Sequence, residues 1–139
     1  MPSNMFDLET VLEDKPGTLA KATEAIASQQ INIEGGSTLK CGGEGIFHSL
    51  YRTEQEAATA KKALEKAGFK TRDVKKVVVT EAEDKPGGAA KLYRAVADND
   101  VNISFTYLAT QTRVVIGSDQ PEKVTEALRT PASVGAIRR

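Results

Sequence analysis

The chain has 139 residues, 40% of them hydrophobic, with 19 Lys+Arg against 19 Asp+Glu. A net charge of zero excludes the cationic field that steers a protein onto nucleic acid or an anionic membrane surface. No apolar run approaches the ~20 residues of a bilayer span, and the single cysteine, Cys41, excludes an internal disulfide and a cysteine-based metal cluster.

The start, Met1-Pro2-Ser3-Asn4, has no basic stretch followed by an apolar one, so no secretory leader is expected and the cytoplasm is the expected compartment. Cys41 is expected to be a buried thiol.

Met5 to Glu13 alternates, with Phe6, Leu8, Thr10 and Leu12 on one face and Asp7, Glu9 and Glu13 on the other, which predicts a half-buried strand. Pro16 is expected to open a helix whose buried stripe is Leu19, Ala22, Thr23 and Ile26. A strand follows over Ile31 to Lys40, bent at Gly35-Gly36. Gly42, Gly43 and Gly45 make a hairpin turn, and Ile46 to Arg52 is the next strand. Thr53 and Glu56 form a capping box. Its helix buries Ala57, Ala60, Leu64 and Ala67 and stops at Gly68, before a short strand over Phe69 to Val74.

The order then repeats. Lys76 to Glu83 is a valine-rich strand, and Pro86 to about Asn99 a helix burying Ala89, Leu92, Tyr93 and Val96. Val101 to Ala109 and Arg113 to Gly117 are strands. Asp119 is expected to cap a helix burying Val124 and Leu128 that ends at Pro131, and Ser133 to Ile137 is a weak last strand. From Glu13–Ile33 to Glu83–Ile103, at an offset of 70, 11 of the 21 aligned pairs are identical. The chain is therefore a duplication. Each half reads as βαββαβ, a ferredoxin-like α+β unit with an antiparallel sheet and both helices on one face. Residues 1–74 and 75–139 are the expected domains. Units of about 70 residues bury only roughly 60% of their unfolded surface, so the halves are expected to pack together and the pair to form a homodimer.

The repeated loops carry the chemistry. Asp14-Lys15-Pro16-Gly17 returns as Asp84-Lys85-Pro86-Gly87, each at the start of a helix. A helix start leaves backbone N–H groups without partners and carries partial positive charge, so a carboxylate or phosphate can settle there. Gly17 and Gly87 lack a β-carbon and would let a ligand approach the backbone. Asp14 and Asp84 set an acid beside that anion site, and Asn32 and Asn102 add a donor and an acceptor. Such a set suits a zwitterion such as a free amino acid. The same residues also serve as ordinary helix starts and turns.

With Ile31-Asn32-Ile33 and Val101-Asn102-Ile103 closing the two segments, the chain resembles a tandem ACT domain protein over nearly its whole length. The resemblance implies a non-enzymatic, allosteric regulatory module binding an amino acid or related metabolite, with no cofactor, metal or catalytic residue. It further implies domains paired side by side, with ligands at their interface. Asp14, Lys15, Pro16 and Gly17 would then face Asn102 and Ile103, and Asp84, Lys85, Pro86 and Gly87 would face Asn32 and Ile33. The regulated partner would be another chain, such as a metabolic enzyme or regulator. Many family members carry glycine just before the Ile-Asn-Ile segment, where Gln30 and Asp100 stand here. Gly35-Gly36 align with Phe105-Thr106, so one site is open to reshaping.

Three other readings compete. An acylphosphatase-like enzyme needs a cationic cradle, whereas these loops are acidic on balance. The single histidine, His48, shares a face with Ile46 and Leu50 and is expected to be a packed or edge histidine rather than a base. An RNA-recognition sheet would show aromatics, which Phe47 and Tyr51 faintly imitate, but Asp7 and Glu9 would repel phosphate. A protein–protein interaction or dimerisation module without a metabolite is the remaining alternative.

Overall fold

The structure is a computed structural model that describes residues 1–129. It divides into two compact units, Met5–Lys75 and the residues from Lys76 onward, the latter joined by Met1–Asn4. Asn4 Nδ2 donates to the Val77 carbonyl at 3.3 Å within that second unit.

The first unit runs from Met5 within β1 (Ser3–Glu13) through α1 (Thr18–Ala27), β2 (Gly35–Cys41), β3 (Glu44–Tyr51), α2 (Glu54–Lys66) and β4 (Lys70–Thr71). All its pairings are antiparallel, in the order β4-β1-β3-β2. The second runs β5 (Lys75–Glu81), α3 (Gly88–Asp98), β6 (Phe105–Ala109), β7 (Arg113–Gly117) and α4 (Pro121–Arg129), with antiparallel order β5-β7-β6. Both units thus follow the ferredoxin-like plan. The expected end of the last helix at Pro131 and the expected strand over Ser133 to Ile137 lie outside the described residues.

Period-2 alternation explains the first core. Leu8 and Leu12 of β1 and Phe47 and Tyr51 of β3 meet Ala22 and Ile26 of α1 and Ala57, Ala60 and Leu64 of α2. Phe47 and Tyr51 are therefore buried against the helices (5% and 0% exposed). No aromatic platform for RNA exists on β3. The second core joins Val78, Val114 and Ile116 to Val96 of α3 and Val124 of α4, with Val101 beside them.

The opposite face of the first sheet departs from expectation. Asp7 is buried, not solvated, and so is His48. His48 Nδ1 lies 3.0–3.1 Å from both Asp7 carboxylate oxygens, Nε2 is 3.9 Å from Glu9 Oε1, and Arg72 holds Glu9 at 3.2 Å. Alternation marked Asp7 and Glu9 as outward-facing. Burial of both faces of β1 requires charged partners instead. His48 is a packed histidine, as expected.

Several boundaries move. Both first-copy and second-copy helices begin after the proline, at Thr18 and Gly88, because the preceding glycine turns left-handed. Leu19 is 40% exposed rather than part of the stripe, and Ala67 is exposed at the end of α2. The capping box of Thr53 and Glu56 forms, and Gly68 (φ +96°) ends α2. In α4, Gln120 rather than Asp119 precedes the first helical residue, and its carbonyl accepts from Lys123 and Val124. Pro121 takes the first helical position, where its missing N–H costs nothing.

Strands β2 and β6 start only at Gly35 and Phe105. Gly36 is demanded by space, since a β-carbon there would lie 2.5 Å from the His48 carbonyl. The first hairpin turns on Gly42-Gly43 alone, both at positive φ as a two-residue turn requires, while Gly45 lies in β3. The second turns on Thr110-Gln111-Thr112. Cys41 is exposed at the end of β2, against expectation.

Two outcomes follow for stability. Burial pushes the Tyr51 hydroxyl up to about 12, with the nearby Asp7 charge adding to the rise and the Ser49 hydrogen bond (2.8 Å) opposing it. A raised folded value favours the neutral form. Its stabilisation is complete below the unfolded value near 10 and is lost as pH climbs to about 12. Urea unfolding at a series of pH values should show wild type losing about 2–3 kcal/mol more than Tyr51→Phe across that window. Thr10 is fully buried and its Oγ1 has no hydrogen-bond partner among the described residues. Thr10→Val should raise the urea midpoint, by about 1 kcal/mol of stability.

Candidate functional site

The two repeated loops have the same backbone hydrogen bonds. The Lys15 and Lys85 amides donate to the Glu13 and Glu83 carbonyls at 2.9 Å, and the Lys21 and Lys91 amides donate to Gly17 and Gly87 at 3.0 Å. Gly17 (φ 94°) and Gly87 (φ 87°) adopt the left-handed conformation that redirects the strand into the helix. A β-carbon at either would meet nothing within 4 Å. Glycine is required here by backbone angle, not by crowding. The Thr18 and Gly88 amides donate back to the Lys15 and Lys85 carbonyls. No side chain caps α1 or α3 among the described residues. The next amides, of Leu19 and Ala20 and of Ala89 and Ala90, are the ones left to receive an anion.

The loops differ at the first helical residue. Thr18 Oγ1 donates to the Glu13 carbonyl at 2.8 Å and the Lys15 carbonyl at 3.2 Å. At Gly88 a β-carbon would collide with the Glu83 carbonyl, so the second loop closes more tightly on its helix. They differ also in ion pairs. Asp14 Oδ2 is 2.9 Å from Lys40 Nζ. This carboxylate holds the lysine above its ordinary value, by hydrogen bond first and charge second. Lys15 pairs with Glu13 at 3.2 Å. In the second loop Glu83 receives both Lys85 and Lys91, each at 3.1 Å, and their hydrogen bonds hold its carboxyl below the usual range.

The asparagines sit just before β2 and β6, off the strand ladders. Asn32 Nδ2 donates to Glu34 Oε2 at 2.8 Å, and Arg52 approaches the same carboxylate at 3.6 Å. The Asn102 backbone carbonyl accepts from Ser118 Oγ at 2.9 Å. Gln30 and Asp100, in the places where glycine was noted to be usual, both have φ 59°. The left-handed turn is kept there without glycine, held by the Gln30 and Asp100 amides donating to Ala27 and Ala97.

Within the first unit, Lys15, Pro16 and Gly17 border a pocket of about 510 Å³ with Glu13, Lys21, Glu44 and Lys70. Within the second, Asp84, Lys85 and Pro86 border a groove of about 590 Å³ with Leu108 and Thr112. Another groove of about 750 Å³ brings Gly87, Asn102 and Ile103 together with Tyr93 and Arg94. The expected sets crossed from one repeat to the other, and this juxtaposition lies inside one repeat. Sequence reasoning missed Lys40, Lys91, Tyr93 and Arg94. Lys91 was findable, one turn along the helix from Gly87. Lys40 was not, because its reach to Asp14 depends on the hairpin.

A family model described as ACT domain pair matches residues 3–131. The chain belongs to the ACT domain pair family. ACT domains are regulatory, amino-acid-binding modules rather than catalytic ones. The solved structures similar to this ACT pair include protein BT0572 from Bacteroides thetaiotaomicron, at TM-score 0.77 and 26% identity over 92% of this chain and 88% of that one. They also include the regulatory subunit of aspartate kinase from Thermus thermophilus, at TM-score 0.69 and 19% identity over 91% and 93%. The corresponding subunit from Thermus flavus aligns at TM-score 0.68 and 19% identity over 91% and 94%. No curated protein matches the chain. Among the described residues no helix is long and apolar enough to cross a membrane.

The loop glycines can be tested directly. Gly17→Ala and Gly87→Ala should each cost about 1 kcal/mol in thermal unfolding, since only the left-handed angle is strained. Gly88→Ala should cost more, through its clash with the Glu83 carbonyl.

Proposed function

We propose that this ACT pair is a non-enzymatic sensor that binds a small amino acid or similar zwitterion and passes its occupancy to a regulated metabolic enzyme or regulator. In this reading residues 1–74 and 75–139 are the two ACT-like domains, paired side by side, and the chain works as a cytoplasmic homodimer. The ligand lies at the interface between domains. Asp14 to Gly17 serve with Asn102 and Ile103, and Asp84 to Gly87 with Asn32 and Ile33.

The observation that carries the reading is the pair of uncapped helix starts behind identical left-handed turns. A capped helix would satisfy its own amides; these two offer theirs to a carboxylate, with an aspartate close by for an ammonium group. Occupancy can act on a partner only if the ligand favours one arrangement of the chain over another.

Thermal shift against each of the twenty protein amino acids tests this. At 100 times its dissociation constant a true ligand adds about 2.7 kcal/mol of stability. The double variant Asn32→Ala/Asn102→Ala should remove that gain while melting close to wild type without ligand. A panel in which no amino acid shifts the transition would leave only the interaction-module alternative, which the exposed Leu39 and Leu108 (50% and 68%) favour.

A further inference from the structure

We infer that the turn between β6 and β7 is a strained latch on the end of β5, a conformational device that the first unit lacks. It stands apart from the sensor reading and holds whether or not a metabolite binds.

Positive φ is free of strain only for glycine. Other residues bring the β-carbon against the following carbonyl, and a β-branched residue fits worst. Gln30 and Asp100 carry such an angle singly, where their helices end. Gln111 (φ 63°) and Thr112 (φ 52°) carry it side by side in the β6–β7 turn, and Thr112 is β-branched. The first unit makes its hairpin with Gly42 (φ 60°) and Gly43 (φ 89°), which adopt these angles freely. Of the two hairpins, only the second is strained.

Two sets of contacts hold the turn closed. The Thr112 carbonyl accepts from the Ala82 amide at 2.9 Å, one step beyond Glu81 and Arg113, where the β5–β7 register ends. Arg113 clamps the other end. Its Nε donates to the Thr110 carbonyl at 2.8 Å, and Nη2 donates to the Thr110 hydroxyl at 2.6 Å. In the first unit the matching ladder runs on to Glu13 and Glu44 with no strained residue.

Ala82 is where the latch meets the chain beyond β5. It packs against the second core and directly precedes Glu83. The Glu83 carbonyl accepts from the Lys85 amide at 2.9 Å and leaves no room for a β-carbon at Gly88. A shift of the Ala82 peptide is therefore passed by contact to the first residue of α3. Turning Thr112 to an ordinary negative φ relieves its strain and swings its carbonyl away from Ala82. Closed and open turns thus differ by one hydrogen bond set against one strained residue, quantities of similar size. Such a balance makes the end of β5 and the start of α3 a movable part of the second unit.

Amide hydrogen exchange and NMR relaxation dispersion on the intact chain test this. In wild type the Ala82 amide should exchange roughly tenfold or more faster than that of Leu12, its first-copy counterpart, which marks local opening rather than global unfolding. Ala82, Glu83 and Gly88 should share one dispersion rate. Thr112→Asn, which tolerates the left-handed angle, should slow Ala82 exchange by about five- to tenfold and quench the dispersion. Thr112→Val keeps the branch and should behave as wild type. Arg113→Gln, which removes the clamp, should speed Ala82 exchange. Equal protection of Ala82 and Leu12 in wild type, or unchanged Ala82 exchange in Thr112→Asn, overturns the latch. Dispersion at Ala82 that spares Glu83 and Gly88 overturns its coupling to α3.

Discussion

Everything distinctive about this chain depends on a single backbone constraint, met twice: a left-handed residue between an outgoing strand and an incoming helix. Gly17 and Gly87 satisfy it. The turn aims the helix back across its sheet, so that Ala22 and Ile26 in one copy and Val96 in the other reach their cores. It also leaves the first helical amides facing outward with no side chain to cap them. Core packing and the uncapped helix starts therefore arise from the same two dihedral angles, and a change made for one is felt by the other.

The periodic parts of the fold were legible in the sequence, because burial on one face writes itself as alternation. Leu8, Leu12, Ala57, Ala60 and Leu64 occupy the core they were expected to occupy. The capping box at Thr53 and the stop at Gly68 were legible for a different reason: each depends only on residues within one helical turn. Asp7 was misplaced because alternation assumes one wet face. A buried acid and a buried histidine satisfy each other across strands 41 positions apart, and no local pattern records that. Cys41 was misplaced for the converse reason, since a small residue at a strand end has no partner to bury it.

The site was half legible. The repeated loops, their turns and their glycines could be read directly, although glycine proved necessary for its angle and not for ligand clearance. The ion pairs could not be read. Lys40 meets Asp14 only because one hairpin is two residues tight and its strands are long, whereas Lys85 and Lys91 converge on Glu83 through the geometry of a helix start. Identical tetrapeptides thus sit in unlike electrostatic surroundings. Motif identity within a duplicated chain establishes common backbone geometry and leaves the chemistry to the neighbours.

The hairpin that carries Lys40 also carries the molecule's sole thiol, exposed at the adjacent position. A maleimide dye would therefore attach at one defined point, one residue from the lysine paired with Asp14, without any engineered cysteine. Fluorescence from that position would track movement of the Lys40 ammonium as solutes are added, giving an optical view of the loop in the native chain.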